Sequence, residues 1–430
     1  MNRTSSNAAA IVAAAPARAL ALPGIVRERD FRRFWLGESI SLIGDQITLI
    51  ALPLVGVLAL HANAAQMGYL GAAALIPNLL FSLHAGAWLD RHGCRRQAMI
   101  GTAFARATLL ATIPVAYWLG MLTMAQLYVV SFLIGTLSVL FFVAYSTLFV
   151  SLVPRDRYLE ANSLLNGSRA FSFVAGPSIG GLLVQIFSAP GALVADAASF
   201  LVSAFSLGSI HPTEPPTEEA RRGHVKAGIA YIRRSPVIRA SLLATATINF
   251  FNFVFWALFF LYATKTLGVG AGLLGLVLGA ASVGGVLGSI VTGRISRRIG
   301  IGPAFVAGCV LFPAPLVLVP LAGGTEWEIV AFLFAAEFLS GFGVMVLDIT
   351  AGSIKAALVP DRLRARVAGA YMVVNYGVRP LGALVGGALG TAIGLRPTLW
   401  IAAVGAIAGF LFLLPSPIPR LRHLPETTEG

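Results

Sequence analysis

The chain is 430 residues long, 57% of them hydrophobic and only 11% charged, with a mean hydropathy of +0.83. That composition excludes a soluble globular domain and makes lipid the solvent for most of the chain. The formal net charge of +13 needs no nucleic acid to explain it, because the basic residues concentrate in loops on one side of a membrane.

One helix crosses a bilayer with roughly 20 mainly apolar residues, and such stretches recur from Leu36 to Leu414 with short polar breaks. Twelve spans are predicted, starting near Leu36, Ala65, Ala98, Leu122, Leu159, Pro190, Ala240, Ala271, Gly302, Trp327, Val367 and Arg396. Their long unbroken apolar runs lack the alternation of barrel strands and specify helices. From the N-terminal tail through every second loop to the C-terminal tail, 26 Lys and Arg fall on one side, against only Lys265 and Arg396 on the other. Short basic loops resist translocation, so both termini are expected in the cytoplasm.

Residues 1–33 read as a cytoplasmic tail. The small-residue stretch Ala8 to Ala21 after Arg3 resembles a signal peptide, but cleavage there would leave Arg27, Arg29, Arg32 and Arg33 on the outer side, against the charge rule. In helix one, Glu38, Ser41, Asp45 and Thr48 step at helical spacing and form a polar stripe expected to face a cavity. An ionisable group at mid-membrane costs at least about 2.5–3.5 kcal/mol, so each one needs a partner or water. Asp45 is therefore a candidate proton carrier, with Arg169, at similar depth in helix five, as its candidate partner; a permanent tie between the two helices is the alternative reading. Arg106 in helix three either pairs inward or reaches toward the cytoplasmic headgroups, and Asp196 in helix six reads as structural.

Between helices two and three stand Gly86, Trp88, Asp90, Arg91, Gly93, Cys94, Arg95 and Arg96. Gly86 permits close helix approach, Gly93 an unusual backbone angle, and the acid and bases can pair with neighbouring loops, which makes a cytoplasmic gate. Helix four is free of charge from Tyr128 to Val150. Helix five carries Gly167 and then Gly176, Pro177, Gly180 and Gly181, a kinked helix with a flat face expected to pack against the other half.

The longest interior polar break, residues 211–238, separates a first bundle at 34–210 from a second at 239–414, with a cytoplasmic tail at 415–430. Leu152-Val153-Pro154-Arg155 after helix four is echoed by Leu358-Val359-Pro360-Asp361 after helix ten, and Arg91, Arg95 and Arg96 by Arg294, Arg297 and Arg298. Such a repeat implies homologous halves around a central site. In helix seven, Asn249, Asn252, Phe253, Trp256 and Phe260 share a face on which amides and rings can hold an amphipathic, partly planar molecule, although aromatic residues also serve as packing. Glu337, Met345 and Asp348 form a stripe on helix ten, and Asn375 and Arg379 share a face of helix eleven; Glu337 and Arg379 are a second candidate pair for proton coupling.

The loop between helices two and three closely resembles that of the major facilitator superfamily, with Trp88 in place of a usual Leu and Cys94 in place of a frequent basic residue. The glycines and proline of helix five resemble the signature of its export branches. Ile43 to Pro53, and Gly228 to Pro236, look like the branch holding macrolide efflux proteins and the enterobactin exporter. The resemblance implies an all-α membrane protein of twelve transmembrane helices in two pseudo-symmetric six-helix bundles. It also implies efflux of a drug, antibiotic or other natural product across the bacterial inner membrane by proton-coupled exchange. Many drug and proton antiporters of the superfamily carry an Arg in helix four, which this chain lacks, so coupling must use other groups.

The rival readings are a dedicated siderophore exporter and a non-transporting receptor. An enzyme is not expected: the six His residues form no ligand pair, Cys94 and Cys309 have no partner spacing, and there is no Gly-x-Ser-x-Gly elbow. Without a Gly-Lys dipeptide the chain has no nucleotide-binding loop. The expected energy source is the proton gradient, with no metal or other cofactor. The expected partners are a small-molecule substrate and the lipid bilayer, with the monomer as the working unit.

Overall fold

The computed structural model describes residues 24–211 and 225–424; within helix two it leaves out the side chains of residues 83, 85–87 and 90–92, and in the connector those of 225–227. The predicted segments form helices α1 Arg29–Leu54, α2 Ala64–His92, α3 Arg95–Trp118, α4 Met124–Leu152, α5 Tyr158–Phe187 and α6 Ala189–Gly208. The second half holds α7 Pro236–Leu261, α8 Ala271–Ile299, α9 Ile301–Leu311, α10 Glu326–Leu358, α11 Asp361–Ile393 and α12 Leu395–Ala408. Among the described residues, eleven of the twelve segments are long and apolar enough to cross a membrane on length and composition alone, once the turns that carry α9 on to Leu321 and α12 on to Leu413 are included. The exception is α11, whose glycines, Asn375 and Arg379 dilute its apolar content.

Local chemistry sets the helix ends. Asn63 and Gln66 form a reciprocal capping box at the start of α2, and Thr325 and Glu328 form another at the start of α10, each satisfying backbone donors that have no partner inside the helix. Gly93 ends α2 at φ 66°, a left-handed angle that costs a glycine little. The prolines Pro313, Pro315 and Pro320 break the ninth span into α9, a 3-10 turn at Ala314–Val317 and a last turn at Leu318–Leu321, where an unbroken span was expected. The central break is also not all loop, since Val225–Arg234 is a helix that packs on α11; Tyr231 Oη donates to Leu358 O at 2.6 Å.

The internal repeat is visible in the backbone. Pro154 sits at φ −61°, ψ 145° and Pro360 at φ −55°, ψ 143°, each opening the turn that follows its helix. Wide π turns close α1 at Val55–Ala59 and α7 at Tyr262–Thr266. Their hydrogen bonds match: Leu60 N–H to Val55 O and Ala62 N–H to Gly56 O in one, Leu267 N–H to Tyr262 O and Val269 N–H to Ala263 O in the other.

The two halves meet on the face away from the basic loops. Backbone runs against backbone where Gly68 of α2 faces Gly387 of α11, and where Gly181 of α5 faces Gly275 of α8; the missing side chains allow van der Waals contact along the seam. His61 Nδ1 and Lys265 Nζ stand 3.4 Å apart across the outer loops. One hydrophobic core joins both bundles there, from Leu54 and Met67 to Phe255 and Leu274. Toward the cytoplasm the cores separate, with Phe34, Met99 and Leu148 in one bundle and Phe305, Leu347 and Ile354 in the other. The molecule is joined outside and divided inside.

Candidate functional site

Small residues bring α1 against α6. A Cβ on Gly37 would lie 2.6 Å from Ser206 Cβ, and one on Gly44 would collide with Ser199 and Asp196. This close approach carries Asp45 and Thr48 of α1 to the level of Asp196. Thr48 donates a short hydrogen bond to Asp196, and Ser199 Oγ donates a second at 2.9 Å. Asp196 is fully enclosed.

Arg106 reaches into the same cluster from α3. Its Nη2 donates to Asp45 Oδ1 at 2.7 Å. Its guanidinium carbon lies 3.9 Å from the centroid of the Phe200 ring and 5.2 Å from that of Phe141, so aromatic faces supply part of the solvation that the cation loses on burial. The Arg106 side chain is 4% accessible and that of Asp45 is 45% accessible. The pair thus has one enclosed member and one that the protein leaves partly uncovered.

The expected Asp45–Arg169 pair is not made. Depth along the helices allowed it, but Asp45 turns toward α3, while Arg169 lies near Glu38 and Tyr145. Arg106, left between two fates by sequence, pairs inward. Glu38 is buried beside this cluster, within electrostatic reach of Asp45, Arg106 and Arg169. The first bundle therefore gathers Glu38, Asp45 and Asp196 around Arg106, with Arg169 beside Glu38.

The expected Glu337–Arg379 pair is also absent. Glu337 is 2% exposed and its Oε1 has no hydrogen-bond partner; it borders the outer core through Leu333 and Ala336. Arg379 turns instead to α7, where its Nε donates to Asn249 Oδ1 at 3.1 Å. Asn249 Nδ2 donates to Asn375 Oδ1 at 3.1 Å, and the guanidinium lies over the rings of Tyr376 and Phe253 at 4.1 and 5.2 Å.

The helix-seven face accordingly divides. Asn249 and Phe253 join Arg379, whereas Trp256 packs tilted and Phe260 edge-on against Phe259, at ring distances of 5.1 and 5.6 Å, as part of the outer core. Asn252 is buried, and its Nδ2 has no partner.

In the gate motif, Arg96 donates to the carbonyls of Leu207 and Gly208 at 2.8 and 2.6 Å, closing the C-terminal end of α6. Arg95 is buried. Gly86, Asp90 and Arg91 fall in the last turns of α2, and their surroundings lie outside the described residues. The helix-five motif serves two neighbours, because positions one residue apart point about 100° apart on a helix. Gly176 and Gly180 pack on Gln46 and Ile47 of α1 in their own half; only Gly181 and the Pro177 carbonyl meet Gly275 across the seam. Sequence reasoning missed a crevice of about 520 Å³ between α1 and α5, where Trp35 Nε1 and Ser39 Oγ both bond Ser168 Oγ. Among the described residues no group of His, Cys, Asp and Glu is placed to hold a metal.

A family model described as Major Facilitator Superfamily matches residues 34–377 and 253–430. The multidrug efflux pump Tap of Mycolicibacterium fortuitum is 27% identical over 413 residues, covering 89% of this chain and 93% of the pump. The pump of the same name from Mycobacterium tuberculosis is 24% identical over 410 residues, covering 89% and 91%. Among solved structures, a bacterial homologue of the iron transporter ferroportin in an inward-facing state superposes with a TM-score of 0.73 at 15% identity, covering 90% of this chain and 98% of that one. The nucleoside transporter NupG gives 0.72 at 13% identity, covering 90% and 98%.

Proposed function

The chain belongs to the Major Facilitator Superfamily, and from that premise we propose that it exports a small amphipathic molecule across the bacterial cytoplasmic membrane in exchange for protons. The direction rests on the relatives named as multidrug efflux pumps, which align with the chain nearly end to end. The observation that carries proton exchange is the Asp45–Arg106 pair: a carboxylate midway along α1 that the protein leaves partly uncovered, bound to an enclosed cation.

In this reading a proton arriving at Asp45 neutralises the carboxylate and frees Arg106. Asp196 and the Phe200 face then hold the cation. Because Asp45, Arg106 and Asp196 stand on α1, α3 and α6, protonation alters the contacts among three helices of the first bundle. That gives an outward and an inward arrangement different proton affinities, which is the requirement for alternating access driven by a gradient. The seam glycines let the outer ends close, and the divided cytoplasmic cores let the inner ends part.

The test is accumulation in everted membrane vesicles of a panel of fluorescent cationic, anionic and neutral drugs and iron chelators, with and without a proton uncoupler. Chelators are included because the helix-one and connector stretches also resemble the enterobactin exporter. Accumulation of at least one compound that the uncoupler abolishes is expected. Accumulation that ignores the uncoupler would remove protons from the account.

A further inference from the structure

Arg379 stands near the middle of α11, and among the described residues no carboxylate oxygen lies within 4 Å of it. The acid expected to neutralise it, Glu337, is buried elsewhere. Asp348 acts on it only at longer range. A mid-membrane cation without a contacting counter-ion is costly, and a residue kept at that cost is by default a candidate for function.

The surrounding groups hold the guanidinium in place without neutralising it. Nε is committed to Asn249 Oδ1 at 3.1 Å, Asn249 is held in turn by Asn375 at 3.1 Å, and Asn375 Nδ2 donates to Tyr371 O at 3.2 Å. Tyr376 and Phe253 flank the guanidinium. The chain of amides orients the fork, and the rings provide flat apolar surface beside it. With Nε on Asn249 and a further hydrogen bond to the Tyr376 side chain, the N–H groups left over match a planar two-oxygen anion, and an oriented donor loses little freedom on binding.

A second cation lies two helical turns closer to the cytoplasm: Lys355 Nζ sits 4.3 Å from the ring centroid of Tyr371 and likewise has no carboxylate contact among the described residues. The second half thus offers two cations over aromatic rings, and Asp348 acts on both only at longer range.

We propose that Arg379, positioned by Asn249 and flanked by Tyr376 and Phe253, is the receptor for a carboxylate or comparable planar oxyanion carried on an aromatic substrate. This rests on the exporter reading and specifies its substrate: an aromatic anion, or a zwitterion whose anionic end faces α11.

The experiment is equilibrium binding to the purified, detergent-solubilised protein by isothermal titration calorimetry, with 2-naphthoate and its neutral counterpart 2-naphthamide as probes. The wild-type protein is expected to bind the carboxylate roughly tenfold tighter than the amide or better, the scale of one charge-assisted contact. Arg379→Gln, with its thermal unfolding checked against wild type, is expected to bind both probes equally. Arg379→Lys keeps the charge but loses the fork; it is expected to retain a weakened preference and carries the test if the Gln variant does not fold. A wild-type protein that fails to bind the carboxylate, or shows no preference for it, overturns the proposal. So does an Arg379→Gln variant that keeps the full preference. No gradient enters the measurement, so failed vesicle transport with intact binding would count against the exporter reading alone.

Discussion

Removing either member of the Asp45–Arg106 pair should cost different amounts, and the difference follows from accessibility. Taking away one partner of a buried pair typically costs about 3–5 kcal/mol, because the other is left charged and unpaired. In Asp45→Asn the stranded group is Arg106, only 4% accessible and unable to rehydrate. The Phe200 and Phe141 faces offset about 1–2 kcal/mol of that cost, which leaves about 1–4 kcal/mol, toward the lower end where Asp196, within electrostatic reach, takes up the cation. In Arg106→Met the stranded group is Asp45, 45% accessible; if that face opens to the water-filled cavity of the exporter reading, the loss falls to about 1 kcal/mol. The double variant strands neither group and should resemble Arg106→Met rather than the sum of the two. Thermal unfolding can be followed with a thiol-reactive dye in a Cys94→Ser background, because Cys309 is fully buried until the second bundle opens. Equal losses from both single variants, or losses that add in the double variant, would refute the account of an enclosed cation and a partly uncovered acid.

Gly181→Val should destabilise the protein by about 1–3 kcal/mol, since a Cβ there would lie 2.5 Å from Ala271 O and 2.8 Å from Gly275 Cα. Gly167→Val, on the same helix but with nothing within 4 Å of its Cβ position, should unfold near the wild-type temperature apart from a small propensity change. For Glu337→Gln, a near-isosteric change at an enclosed carboxyl whose Oε1 has no hydrogen-bond partner, stability is expected to hold while uncoupler-sensitive accumulation falls and downhill exchange persists; full retention of coupling would take Glu337 out of the proton path.

What was legible in the sequence, and what was not, divides along physical lines. Apolar run length locates spans, and each of the twelve expected starts lies within seven residues of a helix start. Even α11, which falls short of the others in apolar content, carries an apolar run legible from Val367 onward. Pairing was less legible, for a reason common to both misassigned pairs. Position along a helix fixes depth, but partner choice also needs the azimuth and the identity of the neighbouring helix. Asp45 and Arg169 share a depth and face different neighbours, as do Glu337 and Arg379. A usable signal was present for Asp196: Asp196, Ser199, Ser203 and Ser206 make a polar stripe on α6 that faces Gly37 and Gly44 on α1. A small-residue stripe opposite a polar one marks a close helix contact that can carry chemistry. The rings of helix seven were separable only once the outer core was seen to claim Trp256 and Phe260.

The most direct test of the central claim is proton flux in proteoliposomes, recorded with an internal pH dye when a transported substrate is added, for wild type and Asp45→Asn side by side. The account predicts substrate-driven proton movement in the wild type, and its loss in Asp45→Asn with equilibrium exchange of labelled substrate preserved. Undiminished proton movement in a correctly folded Asp45→Asn protein would contradict it.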